Sequence, residues 1–414
     1  MSAFQCSRPS MRIAFRQPSI ATPSLCNSVL AACILLAACL SLLTGCAMRD
    51  YEAALLLADV ASTDGDSRLQ RRHGTPAREH VHYSIDGRNY EADIYRSDRD
   101  HRGNLLLVHG FTEDGRRDER LTAFAATLAR SGFVVFVPEV EGLRDFSVSS
   151  REIEVLIDAL RHSISDQGPA AGESTAIAAF SLAVGPTLLA ASDPAVADSV
   201  SFLISVGGYY DLVDTLRYVT TGVDAGSGDA RPPPPLRAGR WAVLLSQLHW
   251  LEDDDDRELV EQMARRRLDE PTAPLEDLRR QLGSQGRAVY DLVNNRDAEQ
   301  VEALLDGLPP AMLEEFRQLD LANRDLSGLR ADVVLIHGPD DPIIPLSHSL
   351  RLREALAGDR QVWLYQARGL GHVDVSPGLR DGVGLWRATR RVLLLGEEQT
   401  AEARQREMDH WKQP

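Results

Sequence analysis

Four short stretches of this sequence hold residues that could do chemistry together. The first is Ala178-Ala179-Phe180-Ser181-Leu182-Ala183. Thr175 to Phe180 reads as a buried strand and Leu182 to Ala191 as a helix. A serine at such a junction stands in a sharp turn, available as a nucleophile, and only small side chains fit two residues to either side. Alanine fills both positions, where glycine is commoner. Gly185, one turn on, would let the helix pack close on the sheet. The second stretch, His109-Gly110-Phe111, directly follows the apolar run Asn104 to Val108. In the third, Leu335-Ile336-His337-Gly338-Pro339-Asp340-Asp341-Pro342, two aspartates stand just beyond a strand. They are placed either to orient a histidine or to form a turn. The fourth, Gly369-Leu370-Gly371-His372, holds a glycine-flanked histidine free to swing towards the serine. Asp374 lies on the same loop, after the histidine, and is not read as its partner.

These stretches need elements to position them, and the chain supplies an alternating series. His80 to Tyr83 and Tyr90 to Tyr95 alternate as strands around the hairpin signal Asp86-Gly87. Asn104–Val108, Phe133–Val137, Thr175–Phe180 and Val200–Val206 are continuous apolar runs suited to parallel strands buried on both faces. Between them, Glu119 to Arg130 and Ile153 to Ile164 have helical period. Strand and helix in turn imply right-handed crossovers and a doubly wound, mostly parallel α/β sheet. The alternation stops near Asp211. Residues 212–328 hold a proline run (Pro232 to Pro235), an aspartate run (Asp253 to Asp256) and amphipathic stretches at Trp241–Leu251, Arg257–Leu268 and Val301–Leu308. They read as a mainly helical lid insertion, the two low-complexity runs as solvated loops. The apolar positions Trp241, Leu244, Leu245, Leu248 and Trp250 either hold acyl chains or pack on the core. The sheet pattern resumes at Asp332–Ile336 and Gln361–Tyr365, with helices at Ser347–Ala357 and Leu379–Leu395.

Taken in register with these strands, the four stretches resemble the α/β-hydrolase superfamily over residues 79–211 and 329–396. The resemblance implies Ser181 as nucleophile, His372 as base and an acid in the order Ser-Asp-His along the chain. The family pattern Gly-x-x-Asp-x-x-Val-Pro selects Asp341 over Asp340. It also implies an oxyanion hole made by the backbone N–H groups of Phe111 and Leu182. His109 then shapes that loop and is not the base. Cap domains occur in this superfamily where residues 212–328 fall. Tyr209-Tyr210-Asp211, beyond a strand end, is placed to line the pocket. The implied reaction is hydrolysis of a carboxylic ester through an acyl-enzyme on Ser181, with a small acyl compound as substrate. A peptidase or thioesterase of the same fold, or a non-catalytic binding lipoprotein, are the competing readings. No cofactor is implied and no metal: the spacing of His337 and His348 fits no ligand pattern.

The N-terminus is different in kind. Residues 1–28 carry Arg8, Arg12 and Arg16 and no acid, and Val29 to Leu43 is an unbroken apolar or small run. That length suits a signal peptide better than a membrane span. It ends in Leu43-Thr44-Gly45-Cys46, which resembles the bacterial lipoprotein lipobox and implies lipidation of Cys46. An ordinary secretory signal or an uncleaved anchor is the alternative, and Met11 is a second possible start. The reading is a signal peptide over 1–45, a tether over 46–78 in which Met48 to Val60 could form a short helix, and a C-terminal tail over 397–414. All five cysteines lie at or before Cys46, so the body can form no internal disulfide. The expected location is the cell envelope, held to a membrane by the lipid anchor. Ala47, where the resemblance would put aspartate for inner-membrane retention, leans to the outer membrane of a Gram-negative host. With 45 basic and 61 acidic residues the net charge is −16, which argues against nucleic acid as a partner.

Overall fold

The computed structural model describes residues 48–62, 67–226, 232–236, 239–372 and 382–411. Cys46, Met11, Asp374 and the whole signal-like segment lie outside them. Eight strands form one sheet: β1 (Ala77–Ile85), β2 (Arg88–Arg96), β3 (Gly103–Leu107), β4 (Phe133–Pro138), β5 (Thr175–Phe180), β6 (Val200–Val206), β7 (Asp332–His337) and β8 (Val362–Gln366). Their order is β1-β2-β4-β3-β5-β6-β7-β8. The β1–β2 hairpin joins β4 antiparallel, and every pairing from β4 through β8 is parallel. Composition explains the difference. β1 is exposed over its first four residues and alternates exposed and covered ones from Val81 to Ile85, whereas all five residues of β3 are buried, as a strand with helices on both faces requires.

Two apolar cores result, one on each face of the sheet. On one face, Ser150–Ile164 and Val184–Ala191 pack against Leu106, Ile177 and Leu203. On the other, Glu119–Arg130 and the long helix Gly382–Trp411 cover Leu105, Leu107 and Val135. Residues 212–328 hold helices and 3₁₀ turns and, among the described residues, no strand. Their apolar faces continue the first core: Trp241, Val260, Met263 and Val289 are all buried in it. The aspartate run is not a loop. Asp253 caps the helix Asp254–Asp269, and the buried Asp256 carboxylate accepts from Gly283 N (2.6 Å) and Gly286 N (2.7 Å). The proline run also docks: Leu236 N donates to Pro342 O at 2.8 Å, and Tyr218 Oη donates to Pro233 O at 2.7 Å.

Both segments read as appendages are packed against the sheet. Residues 48–60 are helical and bury Ala53 and Leu56. Asp59, at its end, accepts from Arg130 and Thr127 inside the protein. The closing helix runs through to Trp411, and Gln399, inside the expected tail, accepts from Asn104 N at 2.9 Å. A polar side chain that satisfies a buried strand end gives no apolar signal, so sequence pattern stops the helix early. Among the described residues no helix is long and apolar enough to cross a membrane.

Candidate active site

Ser181 sits where β5 gives way to a 3₁₀ turn, Ser181–Ala183, that runs into the helix Val184–Ala191. Its φ is +54°, left-handed backbone that a non-glycine residue holds at a cost of order 1–3 kcal/mol. The surroundings enforce it. Ala179 and Ala183, two residues to either side, are buried and small enough for strand and helix to close up. Gly185 is needed one turn on, because a Cβ there would collide with Tyr209 Oη. Tyr209 itself is buried, its hydroxyl donating to Leu319 O at 2.8 Å. It packs under the turn and, with Leu182, Val148 and Phe316, bounds a cavity of about 10 Å³. Asp211 caps the helix Leu212–Thr221. Of the Tyr209-Tyr210-Asp211 stretch, then, two side chains are spent on packing and capping.

The predicted partners converge on this turn. Ser181 Oγ lies 2.5 Å from His372 Nε2, across 191 residues of chain. His372 Nδ1 is 2.9 Å from Asp341 Oδ2 and 3.1 Å from Oδ1. With Nδ1–H donated to the carboxylate, Nε2 presents its lone pair to the serine hydroxyl. Asp341 is fully buried, and its Oδ1 also accepts from Ile343 N (2.9 Å) and Ile344 N (3.0 Å). Asp340, by contrast, is exposed. Gly207, at the end of β6, makes room: its φ is +60°, and a Cβ there would stand 2.9 Å from His372 O and 3.5 Å from Asp341 Oδ2.

The loop after β3 holds the other residues predicted from the sequence. His109 is fully buried; its Nδ1–H donates to Gly110 O at 2.9 Å, and its Nε2 accepts from Val140 N at 3.1 Å. Both ring nitrogens are therefore used in shaping the loop. The Phe111 N–H has no hydrogen bond to a described residue, and the Leu182 N–H, in the first turn of its helix, has none either. Both N–H groups thus lack a partner among the described residues, as the oxyanion hole predicted from the sequence would require.

One contributor carries no sequence signal of its own. His337, at the end of β7, is fully buried beneath the acid loop. Its Nε2–H donates to Ile344 O at 2.7 Å, and its Nδ1 accepts from Ser349 Oγ at 2.7 Å. Ile344 N is one of the two donors holding Asp341, so His337 braces the acid through the backbone of its loop. Burial pushes the His337 imidazole below the usual histidine range, with the nearby Asp341 carboxylate opposing, so the brace is neutral.

No protein-family model and no curated protein matches the sequence. Among solved structures it is similar to an acylaminoacyl peptidase of Pyrococcus horikoshii, at 13% identity and a TM-score of 0.44 over 81% of this chain and 44% of that one. The chain thus spans less than half the length of that peptidase. It is also similar to a mutant of the rice cell wall degrading esterase LipA from Xanthomonas oryzae, at 14% identity and a TM-score of 0.48 over 78% of this chain and 89% of that one. A putative hydrolase of Legionella pneumophila gives 13% identity and a TM-score of 0.45 over 78% and 88%. The fold itself rests on the topology: a mostly parallel eight-stranded sheet with a serine turn after β5 and histidine and aspartate loops beyond the last two strands. That arrangement is the α/β-hydrolase fold.

Proposed function

We propose that this protein is a serine hydrolase that cleaves carboxylic esters through an acyl-enzyme on Ser181. The observation that carries the reading is the continuous contact from Ser181 Oγ to His372 Nε2 (2.5 Å) and from His372 Nδ1 to Asp341 Oδ2 (2.9 Å). His372 takes the proton of Ser181 as the serine oxygen attacks the acyl carbonyl. The carbonyl oxygen becomes an oxyanion on the Phe111 and Leu182 N–H groups, each such donor being worth roughly 3–4 kcal/mol to the barrier. His372 next protonates the leaving alcohol. A water, deprotonated by the same nitrogen, then releases the acid and restores Ser181. Asp341 fixes the tautomer and stabilises the imidazolium that forms in each half-reaction.

The test has two parts. A fluorophosphonate probe is expected to label the folded protein, and Ser181→Ala to abolish the label. A panel of p-nitrophenyl esters of rising chain length, run beside an aminoacyl anilide, is expected to show turnover of esters. Turnover of the anilide alone would overturn the ester assignment and leave the serine mechanism standing. The sequence through Cys46 supports a further proposal, that the protein is exported and anchored by acyl chains on that cysteine. Metabolic labelling with a palmitate analogue that persists in Cys46→Ala would sink it.

A further inference from the structure

The β1–β2 hairpin carries a group of side chains that the hydrolytic reading does not use. His80 and His82 are two residues apart in β1, so both leave the same face of the sheet. His82 is paired directly with Glu91 of β2. One ligand atom from each of His80, His82 and Glu91 lies within 4.8 Å of the other two, and all three residues are exposed. His80 Nε2 is 3.9 Å from Glu91 Oε2, and His82 Nδ1 is 3.9 Å from Glu91 Oε1. Tetrahedral zinc with bonds of about 2.0–2.1 Å sets its ligands about 3.3 Å apart. Small rotations of exposed side chains close that difference.

The surroundings orient the group as a ligand set. His80 Nδ1 faces two acceptors, Ala92 O at 3.2 Å and Asp93 Oδ1 at 3.3 Å. Arg116 Nη2 is also 3.2 Å from this nitrogen, but it donates to Glu91 Oε2 at 2.8 Å. The proton therefore belongs on Nδ1, and Nε2 turns its lone pair towards Glu91. A metal-binding histidine characteristically donates its second ring N–H to a carbonyl or carboxylate in this way. Charge agrees as well. Glu91, Asp93 and Glu139 surround Arg116, and Arg78 pairs with Asp93, so three acids face two arginines.

We propose that His80, His82 and Glu91 form a surface site for a divalent transition metal of the zinc type. Two imidazoles and a carboxylate select zinc, nickel or copper over magnesium and calcium, and water fills the open positions. A second, buried cluster of Asp214, Asp224 and His348 is a poorer host. His348 Nδ1 accepts from Tyr210 N (3.2 Å) and Asp211 N (3.4 Å), which leaves the proton on Nε2, and Arg217 and Arg351 already pair with Asp214.

The experiment is calorimetric titration of Zn²⁺ into the full chain, free of any polyhistidine tag, with Co²⁺ absorption as a second readout. Wild type is expected to bind one equivalent that weakens at least about tenfold in His80→Ala, His82→Ala and Glu91→Gln, since losing even an outer partner of a metal site costs about that much. Both histidines are exposed, and Glu91→Gln keeps an amide oxygen for Arg116 to donate to, so the variants should stay near the wild-type melting temperature. Zinc binding unchanged across the three variants would place the metal elsewhere, and absence of binding by wild type would overturn the site outright.

Discussion

The sheet and the segment between β6 and β7 both bury apolar residues but spend their polar residues differently. In the sheet, polar side chains gather beyond strand ends and face one another: Ser181 after β5, Asp341 after β7 and His372 after β8. In residues 212–328 they mostly hold the segment in place. Asp256 ties two helices of the insertion together, Gln247 donates to Val148 O at 2.8 Å, and Glu315 accepts from Ser150 N at 2.7 Å. A shared apolar core then joins the segment to the sheet. The lesson is a division of labour. Substitutions at the strand ends should cost chemistry with little stability, and substitutions in the insertion should cost stability with little chemistry.

The sharpest way to break that division is at the strand ends. Ser181→Ala is expected to lower kcat about a millionfold, and Asp341→Asn about ten-thousandfold because the wrong histidine tautomer is then favoured. Thermal unfolding of Ser181→Ala should stay near wild type; a large loss of stability with the activity would deny the separation. In the insertion, Trp241→Ala empties a fully enclosed site and should cost about 3–5 kcal/mol in urea unfolding. The molecules that remain folded should still take the fluorophosphonate label. Asp256→Ala removes the acceptor of two backbone N–H groups and should cost about 1–3 kcal/mol by the same measurement, again with labelling retained.

A smaller effect separates the two regions by pH. His348 is fully buried, and burial, with the Arg351 charge adding, holds its imidazole well below the usual histidine range. The unfolded chain therefore takes up a proton there near pH 6.5 while the folded chain does not, so the unfolded state binds more protons and stability falls as pH drops below that value. The slope from this group is about 1.4 kcal/mol per pH unit over that window. His348→Asn, whose amide oxygen can still accept from Tyr210 N, should remove that slope when unfolding is compared at pH 7.5, 6.5 and 5.5. Equal slopes in the two proteins would show that His348 protonates in the folded state too.

Much of the sheet was legible because its signals are local. An apolar run such as Thr175–Phe180 or Val200–Val206 has one comfortable home, a strand covered on both faces, and its ends fall where the run ends. The serine turn was legible from the small residues at 179 and 183, since steric room in a sharp turn is a property of near neighbours. The docking of the appended segments was not. Residues 48–60 and the helix beyond Leu395 are anchored by ion pairs and buried amides to distant partners, such as Arg102 with Glu52 and Glu397, and no window of sequence contains both halves of such a pair. The aspartate run misled for a related reason: the same residues that solvate a loop can cap a helix when two glycine N–H groups wait 27 and 30 residues away.

The sequence by itself determined a parallel sheet with a serine at its elbow and the order of serine, acid and histidine along the chain, because those follow from hydrophobic runs and turn sterics. Only the tertiary structure decided which side chains meet. It brought His372 to Ser181, buried Asp341 on two backbone donors, and braced that loop with His337. It also required glycine at 207, where the loop carrying His372 meets the acid side chain. The contact of Ser181 with His372 crosses 191 residues and is set by the packing of whole layers, which has no local signature.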